Sequence, residues 1–231
     1  MIDQYSHFWF DADETLFKFD AYAGLQHMFQ MYDVEFTKEH FEVYQATNKP
    51  LWVAYQDGLI DANTLQITRF KGWADKLSVE PSVLNEQFLD SMALLCEPLP
   101  GALGLIDYLK SKQKSLSIIT NGFTALQERR LQKTGLRDAF DHIVISEQIG
   151  YAKPHSKVFE HTMAKHGLTE QDKPHILMVG DTLASDILGG NNAGIDTVWL
   201  NHHNIEVEPH VMPTYEVPNL EILLRKLKGR N

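Results

Sequence analysis

Four short apolar runs, Ser115 to Thr120, His142 to Ser146, His175 to Gly180 and Thr197 to Leu200, alternate with stretches of helical apolar spacing and leave this chain few folds to adopt. Runs of this length and composition read as strands, and the patterns between them, Thr124 to Lys133, Ser156 to His166 and Ser185 to Ala193, read as helices. A further helical pattern, Pro100 to Lys112, precedes the first of these strands. Gly135, Gly167 and Gly194 fall where the helices should stop, as C-terminal caps do. Strict strand–helix alternation predicts parallel β-α units in an open α/β sheet. A fifth run, Tyr5 to Phe10, adds a strand near the start.

One segment breaks the alternation. Ala21 to Tyr32, Thr37 to Tyr55, Ala62 to Leu77 and Pro81 to Leu95 give four helical patterns in succession. From Asp11 to Thr120 is 109 positions, whereas a parallel crossover needs only about a dozen residues. A helical subdomain over residues 20–95 is therefore expected as an insertion into an α/β core formed by 1–19 and 96–231. No internal repeat, low-complexity tract or glycine-rich linker joins them, which predicts short structured connections.

Composition narrows the function. Hydrophobic residues are 43% and charged residues 23% of the 231, ordinary for a folded globular enzyme. A formal net charge of -10, with no run of Lys and Arg to reverse it locally, argues against a nucleic acid polymer as partner. Cys96 is the sole cysteine, so an intrachain disulfide is impossible and a reducing compartment is expected. No apolar stretch has the character of a signal sequence or the length of a membrane span. The expectation is a cytoplasmic protein with no membrane partner, a monomer or a homodimer.

Ligands of open α/β sheets bind beyond the carboxyl ends of the strands, so the strand ends carry the functional reading. The first ends in Asp11-Ala12-Asp13-Glu14-Thr15, two carboxylates one residue apart that a turn could aim at one ligand. The second ends in Thr120-Asn121-Gly122, a hydroxyl, an amide and a glycine suited to donate to phosphate oxygens or, more plainly, to cap the next helix. Lys153, in Tyr151-Ala152-Lys153-Pro154, follows the third; a lysine is more often solvated than catalytic. The fourth ends in Gly180-Asp181-Thr182-Leu183-Ala184-Ser185-Asp186, adding two more aspartates, of which Asp186 could simply favour a helix N-terminus.

Acid pair, hydroxyl, lysine and second acid pair, in that order and spacing, resemble the four signature motifs of the haloacid dehalogenase superfamily. The resemblance spans nearly the whole chain and implies a doubly wound, Rossmann-like parallel-sheet core with an inserted helical cap. Phe10-Asp11-Ala12-Asp13, Asn48-Lys49-Pro50-Leu51-Trp52, Thr120-Asn121-Gly122-Phe123-Thr124 and Asp186-Ile187-Leu188-Gly189-Gly190 are further similar to the YjjG-type pyrimidine 5'-nucleotidases. Glu14 departs from the superfamily pattern, where glycine usually permits a tight turn, but resembles the acidic residue of YjjG-type members.

The resemblance implies roles. Asp11 attacks phosphorus and forms an aspartyl-phosphate; Asp13 protonates the leaving alkoxide and then activates water. Mg²⁺, or Mn²⁺ in its place, is held by the Asp11 carboxylate, the Asp13 carbonyl and the Asp181 carboxylate, with Asp186 behind them. Lys153, Thr120, Asn121 and Gly122 bind the phosphoryl oxygens. Two unit charges about 4 Å apart repel by about 4 kcal/mol at an effective dielectric of about 20, so a carboxylate meeting a phosphate dianion needs these cations. Haloacid dehalogenases lack an acid at the Asp13 position, because halide leaves without a proton; Asp13 therefore favours phosphoryl transfer.

The cap carries the substrate reading. Asn48, Lys49 and Trp52 are candidates to contact the base of a nucleoside monophosphate, while Trp52 could equally be cap core. The expected activity is removal of phosphate from UMP, dUMP and dTMP. Its rivals are a phosphatase of sugar phosphates or phosphoglycolate, a phosphomutase, and a phosphate-ligand sensor that has lost turnover. Asp13 speaks against the last, since a binding module has no need of it. His202, His203 and His210 read as a loop rather than a metal site, and Lys133-Thr134 lacks the glycines of a P-loop.

Overall fold

A computed structural model describes residues 3–206 and 210–229. The expected core segments also include residues 1–2, 207–209 and 230–231, which lie outside the described residues. The elements in chain order are β1 (His7–Phe10), α1 (Ala21–Gln30), α2 (Lys38–Gln56), α3 (Ala62–Thr68), α4 (Lys71–Leu77), α5 (Pro81–Leu95), α6 (Ala102–Ser111), β2 (Ser115–Thr120), α7 (Thr124–Thr134), β3 (His142–Ile145), α8 (Ser146–Ile149), α9 (Ser156–His166), β4 (Ile176–Gly180), α10 (Leu188–Ala193), β5 (Asp196–Leu200), β6 (Tyr215–Val217) and α11 (Leu220–Leu227).

The chain divides into two compact units. One is built from the chain up to Lys18, Glu97–Gly122 and the chain from Thr134 onward; the other from Phe19–Cys96 together with Phe123–Lys133. The structure thus groups most of α7 with the helical segment, a contribution from outside 20–95 that apolar spacing gives no means of assigning.

The first unit holds one six-stranded sheet in the order β3-β2-β1-β4-β5-β6, with every neighbouring pair parallel. Its central strands are near-continuous apolar runs because both faces are covered. On one face Trp9, Ile119 and Met178 pack with Val158, Phe159 and Met163 of α9; on the other, α6 lies against β2 and α11 against α6 and β6. All five residues of β4, Ile176–Gly180, are buried. This is the doubly wound α/β fold expected from the alternation. The register pairs Phe10 with Ile118 and Val179, which brings the ends of β1, β2 and β4 to one edge.

Two sequence expectations are revised. The helix read over 62–77 is two, α3 and α4, broken at Arg69-Phe70; Leu65, Phe70 and Ala74 are all buried, so the apolar spacing runs through the break undisturbed. The last helix pattern begins instead with a π-helical turn, Leu183–Ile187, before α10. Gly167 and Gly194 end α9 and α10 in the left-handed conformation, as their positions predict.

The helical unit is organised around aromatic packing. Phe29 of α1 stacks on Phe36 at 4.8 Å and meets Trp73 of α4 at 4.4 Å between ring centroids. Two of its helices, α1 and α3, begin at aspartate caps: Asp20 accepts from Ala23 N at 3.0 Å, and Asp61 from Thr64 N at 2.7 Å, each satisfying an amide that the helix leaves unpaired. No described helix is long and apolar enough to cross a membrane.

Candidate active site

Asp11 follows β1 directly, its backbone N–H donating to Val179 O at 2.9 Å, so the sheet itself fixes the carboxylate at the edge. The chain then closes a tight loop: Leu16 N and Phe17 N both donate to Ala12 O, at 3.0 and 2.9 Å, and Glu14 N donates to Phe17 O at 2.8 Å. Closing it requires a left-handed residue, and Glu14 adopts φ 54 there. The turn that glycine would ease is thus made by a glutamate, at a cost in backbone strain. The Glu14 carbonyl meets His202 Nε2 at 2.7 Å, and Nδ1 of the same ring meets Pro218 O at 3.1 Å.

Lys153 is not a surface lysine. It is 1% exposed, and its Nζ donates to Asp11 Oδ1 at 2.6 Å, Asp186 Oδ1 at 2.7 Å and Ile119 O at 2.7 Å. All three ammonium hydrogens therefore have partners, which is what a buried lysine needs. Burial alone would depress its pKa; the Asp11 and Asp186 carboxylates outweigh that and hold it above the ordinary lysine range.

Asp186 is equally fixed. Its Oδ1 takes Lys153, and its Oδ2 accepts from Thr182 N at 3.1 Å. Gly180 makes room for it: a Cβ there would lie 2.3 Å from Asp186 Oδ2. Asp181 is held by Thr15, whose Oγ1 donates to its Oδ1 at 3.3 Å, and its backbone oxygen accepts from Trp199 Nε1 at 2.8 Å. Asp11, Asp181 and Asp186 each offer a carboxylate oxygen within 4.8 Å of the others.

Two of the three carboxylates, Asp11 and Asp186, thus share one ammonium. Burial, then the Asp11 and Asp186 charges, push Asp181 up to about 8. For Asp11, burial with the Asp186 and Asp13 charges outweighs Lys153 and raises it to about 7. These shifts show that the carboxylates resist ionising together, and the three form a group of oxygen donors that could hold a metal ion.

Thr120 ends β2, buried, with its Oγ1 accepting from Gly122 N at 3.0 Å. Asn121 differs from expectation. Its Oδ1 accepts from Lys153 N at 2.7 Å and its Nδ2 donates to Lys153 O at 2.9 Å, so the amide clamps the lysine's backbone instead of standing ready for phosphate. Asp13 is half-buried in the loop after β1.

Asn48, Lys49 and Trp52 lie on α2 in the helical unit. Lys49 is exposed, while Asn48 and Trp52 are half-buried. Asn48 Oδ1 accepts from Tyr44 Oη at 3.4 Å, and the Trp52 ring stacks on Phe123 at 5.2 Å. Lys133 is structural: its Nζ donates to the carbonyls of Cys96, at 2.9 Å, and Leu94. Sequence reasoning passed over Thr15 and Trp199, which hold Asp181. Thr15 stood in the strand-end motif itself; Trp199 is indistinguishable by sequence from sheet core.

The sequence matches the haloacid dehalogenase-like hydrolase family over residues 9–200. It is 53% identical to the pyrimidine 5'-nucleotidase YjjG of Escherichia coli (strain K12), covering 93% of this chain and 94% of that one. It is 35% identical to the pyrimidine 5'-nucleotidase PynA of Streptococcus pneumoniae, covering 95% and 94%. Among solved structures, the putative HAD-hydrolase YfnB from Bacillus subtilis bound to magnesium superposes with a TM-score of 0.80 at 29% identity, covering 97% of this chain and 99% of that one. With the doubly wound sheet and the strand-end aspartates, these matches make the chain a member of the haloacid dehalogenase-like hydrolase family.

Proposed function

We propose that this protein is a 5'-nucleotidase that removes phosphate from pyrimidine nucleoside 5'-monophosphates, UMP, dUMP and dTMP, through an aspartyl-phosphate on Asp11. The observation that carries the activity is 53% identity to a pyrimidine 5'-nucleotidase across nearly the full length of both chains. The chemistry is supported by the buried carboxylate–ammonium cluster.

In this reading an Asp11 oxygen bonds to phosphorus as the phosphorus–ester oxygen bond breaks. Lys153 Nζ, 2.6 Å from Asp11 Oδ1, holds the carboxylate in position and offsets the charge of the incoming phosphoryl group. Asp13 gives its proton to the departing 5'-oxygen. It then takes a proton from the water that attacks the aspartyl-phosphate, releasing inorganic phosphate and restoring Asp11. Thr120 and the N–H groups of Asn121 and Gly122 hold the phosphoryl oxygens, while the Asn121 side chain positions Lys153.

The oxygen donors and excess negative charge of the cluster fit a hard divalent cation, Mg²⁺ or Mn²⁺. Asp11, Asp181 and the Asp13 carbonyl would hold it. Asp186, with both oxygens already engaged, stands behind them. When bound, the ion supplies electrostatic stabilisation of the phosphoryl oxygens. Asn48, Lys49 and Trp52 are the proposed base contacts. The setting proposed is the cytoplasm, with a monomer or homodimer acting on a small molecule; the single, buried Cys96 is consistent with a reducing compartment.

The test is phosphate release from UMP, dUMP, dTMP, CMP, AMP, GMP, phosphoglycolate and sugar phosphates, with Mg²⁺, Mn²⁺ and chelator in parallel. Metal-dependent preference for uracil and thymine monophosphates is the expected result. Preference for sugar phosphates would overturn the substrate assignment, and no turnover of any ester would overturn the activity.

A further inference from the structure

His202 lies exposed in the loop after β5, outside the carboxylate–ammonium cluster, yet its ring ties that loop to the one that carries the nucleophile. Nε2 meets the Glu14 carbonyl oxygen at 2.7 Å, and Nδ1 meets the Pro218 carbonyl oxygen at 3.1 Å. A carbonyl can only accept, so each contact is a hydrogen bond when that nitrogen carries its proton, and the Nε2–H ring makes the shorter one. The backbone behind the ring is anchored. Asn201, 5% exposed, continues the β5–β6 ladder by donating its N–H to Val217 O at 2.9 Å. Its side chain closes the loop, accepting from Ile205 N at 3.0 Å and donating to Ile205 O at 2.9 Å and Glu216 Oε1 at 2.6 Å.

The carbonyl that His202 meets belongs to the turn that follows the nucleophile. It shares a rigid peptide plane with the Thr15 N–H. Asp13 stands one residue before Glu14, and Thr15, on the far side of the plane, donates its Oγ1 to Asp181 Oδ1 at 3.3 Å. Glu14 turns the chain between them at φ 54, a conformation in which a residue with a side chain persists only when its surroundings hold it. From within the loop, Glu14 N donates to Phe17 O at 2.8 Å. His202 holds the other end of the same residue from outside the loop. All of these groups belong to the sheet-based unit.

Resting on the nucleotidase reading above, we propose that His202 is a positioning residue for the proton transfer. By fixing the Glu14 carbonyl it sets the turn that aims the Asp13 carboxyl at the departing 5'-oxygen. The exposed histidine therefore serves the step in which an alkoxide leaves. It matters least for an ester whose leaving group departs without a proton.

The experiment measures kcat/KM for UMP and for p-nitrophenyl phosphate, whose weakly basic phenolate needs no proton to leave. It compares wild type, His202→Ala, His202→Gln and His203→Ala, and repeats His202→Ala in an Asp13→Asn background. In His202→Ala the ratio of UMP to p-nitrophenyl phosphate is expected to fall by about 10- to 100-fold, the scale of a displaced proton donor. This ratio does not depend on how much of a variant is folded. His202→Gln, whose Nε2 can still donate to the Glu14 carbonyl, should recover part of it, and His203→Ala should keep it. In the Asp13→Asn background His202→Ala should lower the ratio no further, because the two residues act as a unit. A ratio unchanged in His202→Ala, an equal fall in His203→Ala, or a fall that adds in full to that of Asp13→Asn overturns the inference. A wild type that turns over p-nitrophenyl phosphate but not UMP overturns the nucleotidase reading instead, and this inference with it.

Discussion

At the scale of single residues, the account turns on Lys153. Taken alone its context favoured a solvated lysine, and only the resemblance of the whole motif set placed it in the site; no pattern of neighbours announces that its ammonium is buried against Asp11, Asp186 and Ile119 O. Three strands meet to bury it, a tertiary fact that local sequence does not carry. The Asn121 clamp was hidden for the same reason. The aspartates were legible, because strand ends in an open sheet are where chemistry collects. Replacing Lys153 with Met removes the ammonium that Asp11 and Asp186 share; unfolding in urea should show a loss of about 3–5 kcal/mol, the cost of breaking a buried pair, with part of it restored by Mg²⁺. Gly180→Ala places a methyl group 2.3 Å from Asp186 Oδ2. It should cost about 1–3 kcal/mol by overpacking, and it should lower kcat with every substrate alike, because Asp186 is pushed off Lys153. Asp13→Asn removes the proton donor and acceptor, and steady-state rates should fall by about 10²–10⁴-fold while the melting temperature holds.

At the scale of elements, the sheet was readable because its strands are covered on both faces and so read as unbroken apolar runs, as β4 does in Ile176–Gly180. The last strand and helix escaped: β6 spans three residues, too few to establish a period, and α11 follows it within three more. The opposite edge of the sheet carries a histidine cluster. His166, at the end of α9, hydrogen-bonds Ser117 Oγ at 2.8 Å, and its ring centroid lies 4.4 Å from that of His142 and 5.1 Å from that of His7. Burial first, then the neighbouring histidines, lower His166 from 6.5 to about 4. A base whose folded pKa lies below its unfolded value favours the fold when neutral. Its contribution is therefore complete above about pH 6.5 and is lost as pH falls toward 4. Half-exposure reduces the effect to about 1–2 kcal/mol. Chemical denaturation across pH 4–7 should show stability declining on the acid side, and His166→Asn should flatten the slope between pH 4 and 6.5; an unchanged slope would remove His166 as the cause.

At the scale of the whole molecule, the chain combines a sheet-based unit that carries the proposed phosphoryl chemistry with a helical unit that carries the proposed selectivity. The strand-end motifs that form the cluster were legible in the sequence. The packing inside the helical unit was not, because buried residues such as Arg69 and Tyr44 resemble ordinary helix residues in sequence. Filling the carboxylate cluster should stabilise the fold, since only the native state presents Asp11, Asp181 and Asp186 together. Mg²⁺ at about 100 times its Kd should add about 2.7 kcal/mol, visible as a rise in Tm that chelator reverses along with activity. The most direct test of the central claim is phosphoryl transfer from ³²P-labelled UMP in a single turnover, quenched in acid, with the labelled peptide identified. The account predicts transient, hydroxylamine-labile label on the peptide containing Asp11, and none in Asp11→Asn, which should release phosphate at less than about 10⁻⁴ of the wild-type rate. Release of phosphate from UMP by Asp11→Asn at an undiminished rate would contradict it.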